Sequence, residues 1–201
     1  RKCPEECAKL QTMKPLLKPV TSFFATLFLS CGAVFPAFSA DASQPLQTIQ
    51  SLDVPRYMGT WFEIAKYPNR FQKQCVANTS AEYSLQKDGT VKVLNRCQLT
   101  SGEMDEAEGQ ARQIGGLKSP KLEVRFAPAW LSWLPMVWGD YWVIDLDKEY
   151  QLVAVSEPSR EYLWVLARTQ QVDKGKYDAL LQRLKSKGFD LNKLELSPQI
   201  N

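Results

Sequence analysis

The chain has 201 residues, with 25 Lys+Arg, 22 Asp+Glu, five Cys and no His. This length suits one domain, with or without a short appendage. The absence of His excludes Ser-His and Cys-His catalytic pairs and imidazole metal ligands. The net charge of +3 is too small to indicate nucleic-acid binding, and the hydrophobic content of 44% indicates a folded core.

The N-terminal segment has the three-part pattern of a secretory signal peptide. Met13 opens a short basic segment, and an apolar stretch follows until Pro36. Small residues then predict cleavage after Ser39 or Ala42. The predicted division of the chain is an upstream extension over 1–12, a signal peptide over 13–42 and one exported domain over 43–201.

Cys31 offers a second way to process this segment. It follows Phe28-Leu29-Ser30 and resembles the lipobox of bacterial lipoproteins, in which the Cys is lipidated. The pattern departs from the lipobox at Phe28, where that family has an aliphatic residue. Downstream cleavage is the preferred interpretation, and lipidation of Cys31 stays open. The predicted location is the periplasm or, with a lipid on Cys31, the outer membrane.

From residue 41 onward, short segments rich in β-branched and aromatic residues alternate with turn residues. Asp88-Gly89 predicts a two-residue hairpin, because both residues tolerate positive φ. Evenly spaced short strands are typical of β-sandwiches and β-barrels. Eight strands are predicted, over 61–67, 78–85, 91–96, 106–114, 121–127, 139–146, 150–156 and 161–168.

One helix is predicted near the end of the chain. Asp173 is a suitable N-cap and Gly188 a suitable C-terminal stop. Apolar residues between them follow the i, i+3, i+4, i+7 spacing, which gives the helix one apolar face. This face consists of Tyr177, Leu180, Leu181 and Leu184.

Two motifs carry a family resemblance. Gly-Thr-Trp at 59–61 opens the first predicted strand, and Arg168 ends the last. They resemble the first and third motifs of the lipocalin family, in which the Arg packs across the Trp at the closed base of a barrel. The run from Gly59 to Phe71 is similar to the bacterial outer-membrane lipocalins and to apolipoprotein D. The likeness extends over about 52–196.

The resemblance implies an all-β fold. This is an eight-stranded antiparallel up-and-down β-barrel, with one C-terminal α-helix packed on the outside. The second lipocalin motif is degenerate here, and only Asp147 matches it. The residues expected to hold the fold are Gly59, Trp61, Asp147 and Arg168.

An eight-stranded barrel leaves room for one small ligand, and its strand residues alternate between interior and exterior. With Trp61 and Arg168 taken as inward, the alternation predicts a mostly apolar lining with a few polar tips. Such a lining suits a hydrophobic chain with one polar end. Complete filling by side chains is the alternative. The predicted lining consists of Glu63, Ala65, Tyr67, Ala81, Tyr83, Val93, Asn95, Leu122, Val124, Phe126, Tyr141, Val143, Tyr162, Trp164 and Leu166.

Residues 126–142 hold four of the six Trp, and strand counting places their centre at the open mouth of the barrel. Such a loop exposes a large apolar area unless something covers it. A lid or a membrane contact is preferred to packing against a second subunit, because Trp suits a water–lipid boundary. The predicted mouth residues are Trp130, Leu131, Trp133, Leu134, Met136 and Trp138.

Cys75 and Cys97 are the only cysteines of the predicted exported domain. Export permits a disulfide, and both residues lie beside the same predicted hairpin. We therefore predict a Cys75–Cys97 bridge that closes a loop of about twenty residues. Two free thiols are the alternative.

The resemblance and the missing His together predict a lipocalin that is not an enzyme. It would store or transport amphiphilic lipids, such as fatty acids and lysophospholipids, in the bacterial cell envelope and support outer-membrane maintenance. Glu63 is the best acid candidate, although a carboxylate satisfied by a neighbouring Tyr or Arg is preferred. The expected partners are the lipid and a membrane surface, with a homodimer left open and no metal or other cofactor. A tetrapyrrole-binding or enzymatic lipocalin is the alternative.

Overall fold

The computed structural model describes residues 44–200. The predicted signal peptide, its cleavage sites and Cys31 lie outside these residues. The strands are β1 (Gly59–Lys66), β2 (Cys75–Leu85), β3 (Val91–Leu99), β4 (Met104–Gln113), β5 (Lys121–Arg125), β6 (Gly139–Leu146), β7 (Leu152–Ser156), β8 (Leu163–Ala167) and β9 (Glu195–Leu196). The α-helices are α1 (Val54–Tyr57) and α2 (Lys174–Ser186).

The strands form one antiparallel sheet that closes on itself. Each strand from β1 to β7 pairs with the next in the chain, and β8 pairs back with β1. The short β9 joins only the far end of β1, where Ala65 faces Leu196. The predicted eight-stranded antiparallel barrel is confirmed, and all eight predicted strands are present.

The turn between β2 and β3 differs from its prediction. Gln86 N donates to Thr90 O at 2.7 Å, so three residues rather than two form the loop. Only the last of them, Gly89, has positive φ, at +83°. The Asp88 carboxylate instead accepts a hydrogen bond from Thr90 N at 3.0 Å. This bond closes a local turn through the Asp side chain.

Helix α2 packs on the outside of the barrel, as predicted. Asp173 caps it by accepting a hydrogen bond from Lys176 N at 2.9 Å. Leu180 and Leu184 are completely buried against outward residues of β1, β6, β7 and β8. The apolar stripe of the helix therefore covers one side of the barrel wall.

The closed base of the barrel is built around Trp61. Its ring is completely buried, and Nε1 donates to Tyr57 O in α1 at 2.9 Å. The Arg168 guanidinium lies 3.9 Å from the ring centroid and donates to Thr60 O at 2.9 Å. Gly59 has φ +94°, and a Cβ there would lie 3.3 Å from Arg168 Nη1. These contacts tie α1, β1 and β8 together.

Asp147 shapes the β6–β7 turn beside this base. Its Oδ1 accepts hydrogen bonds from Gln151 N at 2.6 Å and Leu152 N at 2.7 Å. Tyr150 in the same turn has φ +58°, and its carbonyl accepts from Arg168 Nε at 3.3 Å. The Asp147 carboxylate therefore fixes a turn that Arg168 also binds.

The predicted disulfide is confirmed. Cys75 and Cys97 are joined across β2 and β3, with a Cα–Cα distance of 5.4 Å and a sequence separation of 22. The β2–β3 register shifts between Cys75 and Ala77, and again before Ser80, which supplies the bend that the pairing requires. The bond lies at the mouth end of the barrel.

Replacing both cysteines, as Cys75→Ser/Cys97→Ser, is expected to lower the free energy of unfolding by about 3 kcal/mol, because the unfolded chain gains conformational entropy. Urea unfolding of the oxidised protein, the reduced protein and the variant measures this. The reduced protein is the matched control and should unfold at the same urea concentration as the variant. A variant as stable as the oxidised protein would contradict the prediction.

Candidate ligand-binding site

The barrel encloses a cavity of about 820 Å³ that is open at one end. The loops over 67–74, 100–103, 126–138 and 157–162 surround the open mouth, whereas α1 and Trp61 close the base. Small-molecule sites in proteins span roughly 300–1,000 Å³. The interior is therefore not filled by side chains alone, and it has the size of a ligand site.

The inner walls of this cavity are apolar. Val91, Val93, Ala111 and Leu122 are buried there and line it, together with Leu166. The structure places twelve of the predicted lining residues on the cavity surface. These are Glu63, Ala81, Tyr83, Val93, Asn95, Leu122, Val124, Phe126, Tyr141, Tyr162, Trp164 and Leu166.

The prediction was wrong for Ala65 and Tyr67, which lie outside the barrel in the cluster beneath α2. The pairing of β1 with β8 passes from Glu63 directly to Ala65, so Ile64 is an extra residue in β1. Such a bulge reverses the alternation for the rest of the strand. Tyr67 consequently packs against Phe189 at 6.2 Å between ring centroids.

Val143 is also absent from the cavity lining. Its side chain is completely buried in the same core cluster as Leu52 and Trp61. The alternation of β6 correctly brings Val143 into the interior, but the interior is solid at that level. The alternation along a strand predicts on which side of the sheet a side chain lies, but it does not predict the depth at which the cavity ends.

Glu63 anchors a polar cluster on the cavity wall and is only 2% exposed. Its Oε1 accepts from Ser197 Oγ at 2.5 Å and lies 3.3 Å from Lys66 Nζ. Its Oε2 accepts from Gln72 Nε2 at 2.7 Å. The carboxylate is satisfied on both oxygens, by Lys, Gln and Ser rather than by the predicted Tyr or Arg. This arrangement favours a structural role for the group.

Three tyrosine hydroxyls meet deeper in the cavity. Tyr141 Oη lies 2.8 Å from Tyr57 Oη and 3.0 Å from Tyr83 Oη. Burial is the main cause that raises the pKa of all three phenols, and it raises the pKa of Tyr83 to about 12. The three groups therefore keep their protons at neutral pH and can donate hydrogen bonds.

The mouth loop over 126–138 is ordered by Trp138. Its ring lies 4.1 Å from Arg112 Cζ and 5.2 Å from Arg125 Cζ, and its Nε1 donates to Ser132 O at 2.8 Å. Short 3-10 helices at Ala129–Leu131 and Pro135–Val137 shape the rest of the loop. The residues that reach the rim of the cavity are Phe126, Ala127, Met136, Val137 and Trp138.

Of the predicted mouth residues, Met136 and Trp138 line the cavity, and the other four do not. Trp130 is 73% exposed and Trp133 is 74% exposed, whereas Leu131 and Leu134 are partly buried. The loop borders the mouth on one side and leaves two indole rings in water. An apolar surface of this kind is characteristic of a contact site.

Sequence reasoning missed several lining residues. Tyr57 and Gln72 lie in short helical turns before and after β1, where no strand alternation operates. On β4, small residues at Ala107, Gly109 and Ala111 alternate with charged and polar residues, and this pattern was a usable signal. Ala107 and Ala111 both line the cavity.

No helix within residues 44–200 is both long enough and apolar enough to cross a membrane. Over the same residues, no group of three or more His, Cys, Asp and Glu side chains is placed to hold a metal ion. The cavity surface described above offers a ligand apolar contacts and hydrogen bonds.

The family described as "Lipocalin-like domain" matches residues 52–199. The chain belongs to the lipocalin family. Temperature-induced lipocalin-1 of Arabidopsis thaliana is 40% identical over 156 residues, which cover 77% of this chain and 83% of that protein. Outer membrane lipoprotein Blc of Vibrio cholerae is 34% identical over 153 residues, covering 75% and 85%. Apolipoprotein D of Macaca fascicularis is 33% identical over 166 residues, covering 79% and 82%.

The predicted resemblance to bacterial outer-membrane lipocalins and to apolipoprotein D is confirmed by two of these relatives. As a lipocalin, the chain has a ligand-binding role, and small hydrophobic molecules are the ligands of the family. In this lipocalin, the cavity above Trp61 is open and has the size of a small-molecule site.

Proposed function

We propose that this lipocalin binds and carries single amphiphilic lipids, such as fatty acids and lysophospholipids, without chemical change to them. The observation that carries the proposal is the open cavity of about 820 Å³ with apolar inner walls. The rim supplies charged groups at Arg70, Asp105, Asp140 and Glu161. An acyl chain in the barrel with its polar head at this rim would bury apolar surface and keep the head in water.

Protein purified without detergent tests this directly. Native mass spectrometry is expected to show a lipid adduct, and its mass identifies the lipid class. A coloured tetrapyrrole adduct would favour the alternative ligand. Conversion of the bound lipid during incubation would indicate an enzyme instead.

An Ala107→Trp variant is expected to weaken lipid binding by about tenfold or more, a loss of about 1.4 kcal/mol. Ala107 lines the cavity and pairs with Asn95 of the neighbouring strand β3, so an indole there would occupy the space of the acyl chain. Titration with a fluorescent fatty acid measures the affinity.

The matched control is Glu108→Trp, at the next residue of β4. Glu108 faces outward and forms only an exposed ion pair with Lys92 at 2.8 Å, which contributes little to stability. This variant should bind lipid like the parent protein. Equal affinities for both variants would contradict a ligand in the barrel.

We further propose that the exposed mouth loop contacts a lipid bilayer when the ligand enters or leaves. None of the residues from Phe126 to Trp138 is charged. Within this segment, Trp130 and Trp133 project into solvent beside the mouth. Indole rings are well suited to a bilayer interface, because the ring is apolar and its N–H is polar. A second subunit covering this surface is the alternative.

A Trp130→Ala/Trp133→Ala variant is expected to bind liposomes several-fold more weakly, because both interfacial anchors are lost. Liposome co-sedimentation and the rate of lipid transfer between vesicles measure this. Leu117→Ala is the control, since Leu117 is 93% exposed in the loop at the closed end. Unchanged liposome binding and unchanged transfer would refute the membrane contact, and loss of a dimer in the variant would identify the second subunit.

The proposed location is outside the cytoplasm, in the periplasm or at the outer membrane. It is supported by the signal-peptide pattern before residue 43 and by the relative from Vibrio cholerae, which is an outer membrane lipoprotein. The intact mass of the mature protein tests it. A free N-terminus near residue 40 indicates plain cleavage, a lipid-modified Cys31 indicates an anchor, and an unprocessed chain would contradict export.

A further inference from the structure

The tyrosine cluster of Tyr57, Tyr83 and Tyr141 contains one more O–H proton than it can use. Three phenols carry three protons, whereas the cluster contains two hydrogen bonds, both to the Tyr141 hydroxyl. Within residues 44–200, the three hydroxyls have no other hydrogen-bond partner in the protein. Whichever way the two bonds point, one donor is left without an acceptor.

This spare donor borders the ligand cavity. All three tyrosines line the cavity, and each comes from a different element, α1, β2 and β6. Tyr57 and Tyr83 are 2% and 7% exposed, with stacked rings 5.7 Å apart, and the Tyr141 ring meets Tyr83 edge-on at 6.2 Å. An apolar ligand group that fills the cavity beside this donor would leave it unpaired, which costs free energy, so a ligand that places an acceptor atom there is favoured.

The surroundings favour a neutral acceptor over a carboxylate. Apolar residues such as Val91, Val93 and Leu122 form the walls. A charged group there would lose its hydration and gain only one hydrogen bond in return. A carbonyl or hydroxyl oxygen needs only one donor and carries no charge.

Resting on the lipid-binding function proposed above, we propose that this tyrosine cluster is a subsite for a neutral oxygen at the inner end of the ligand. The ligand class is an elongated apolar molecule with a keto, ester or hydroxyl oxygen at the end that enters the barrel first. A plain fatty acid presents a methyl group there and leaves the donor unsatisfied. The rim then contacts the opposite end of the same molecule.

Saturated fatty acids and their ω-hydroxy counterparts of equal chain length test the subsite. The two members of each pair have the same carboxylate and differ only at the inner end. At the chain length that spans the cavity, the parent protein is expected to bind the ω-hydroxy acid about two- to tenfold more tightly. In a Tyr57→Phe/Tyr83→Phe/Tyr141→Phe variant the plain acid should be preferred, because an unpaired hydroxyl then enters an apolar site.

All three tyrosines are replaced because removal of one hydroxyl still leaves an unused proton. Binding of the plain acid by the triple variant shows that its barrel is intact. A parent protein that prefers the plain acid at every length, or a triple variant that keeps the ω-hydroxy preference, overturns the subsite while lipid binding stands. Failure of the parent protein to bind either acid overturns lipid binding itself.

A measurement on the parent protein alone provides a second check. A long-chain fatty acid with an isotope-labelled keto group near its inner end should show a carbonyl stretching band at lower frequency when bound than in an alkane, because the carbonyl accepts a hydrogen bond. The triple variant should return the band to its alkane position. A bound band that matches the alkane in the parent protein also overturns the subsite.

Discussion

A Trp61→Ala variant is expected to lose about 3–5 kcal/mol of unfolding free energy. The Trp61 ring is completely buried at the closed base, and its removal leaves a cavity that the barrel cannot collapse to fill. It also removes the surface against which Arg168 lies at 3.9 Å and the hydrogen bond to Tyr57 O. Chemical unfolding followed by circular dichroism measures the loss.

The same substitution at Trp133 is the matched control, because that side chain is 74% exposed. Trp133→Ala should change the unfolding free energy by no more than about 0.5 kcal/mol. The loss of unfolding free energy in a Trp61→Phe variant should lie between those of Trp61→Ala and Trp133→Ala. This variant keeps an aromatic ring under Arg168 but loses the indole N–H. Equal effects of Trp61→Ala and Trp133→Ala would show that the base contributes little to stability.

The protein is expected to lose stability steeply between about pH 10 and pH 12, owing to Tyr57, Tyr83 and Tyr141. Their pKa values in the folded protein are raised above 10, and that of Tyr83 is about 12. The folded chain therefore retains protons that the unfolded chain releases. The stabilisation is complete below pH 10 and is lost as the pH rises through the folded pKa, at about 1.4 kcal/mol per pH unit for each tyrosine.

Unfolding curves at a series of pH values between 9 and 12 measure this loss. A Tyr83→Phe variant should show a shallower decline, because one group that titrates differently in the two states is removed. The pKa values of Tyr67 and Tyr177 are raised as well, again mainly by burial, and both groups remain in the Tyr83→Phe variant. A decline that Tyr83→Phe leaves unchanged would contradict the assignment to the cavity cluster.

Much of the fold could be predicted because its signals are local. The period-two alternation and the turn residues located all eight strands, and the spacing of Leu180 and Leu184 located the helix. The Gly-x-Trp motif and Arg168 carried the family resemblance, and the two motif residues do lie in contact. The hairpin at Asp88-Gly89 was found in the right place, although its loop has three residues.

The candidate site could be predicted only in part. Alternation placed Tyr83, Asn95 and Trp164 on the cavity, but it failed for Ala65, since an extra residue in β1 reverses the alternation. Such a bulge is a property of the pairing between two strands and leaves no trace in either strand alone. For Val143 the error was one of depth, because the packed base extends up to that level.

Residue type and spacing along the chain were enough to locate the strands and the base motif, and the family resemblance implied the order of the strands. The disulfide partners followed because the predicted exported domain has two cysteines. Which inward side chains border empty space depended on how the closed barrel packs. The tertiary structure also brought together Tyr57, Tyr83 and Tyr141, which are separated by up to 84 residues. Their hydroxyls meet because the closed barrel holds α1, β2 and β6 around one cavity, and contacts between distant segments of this kind follow from closure of the sheet.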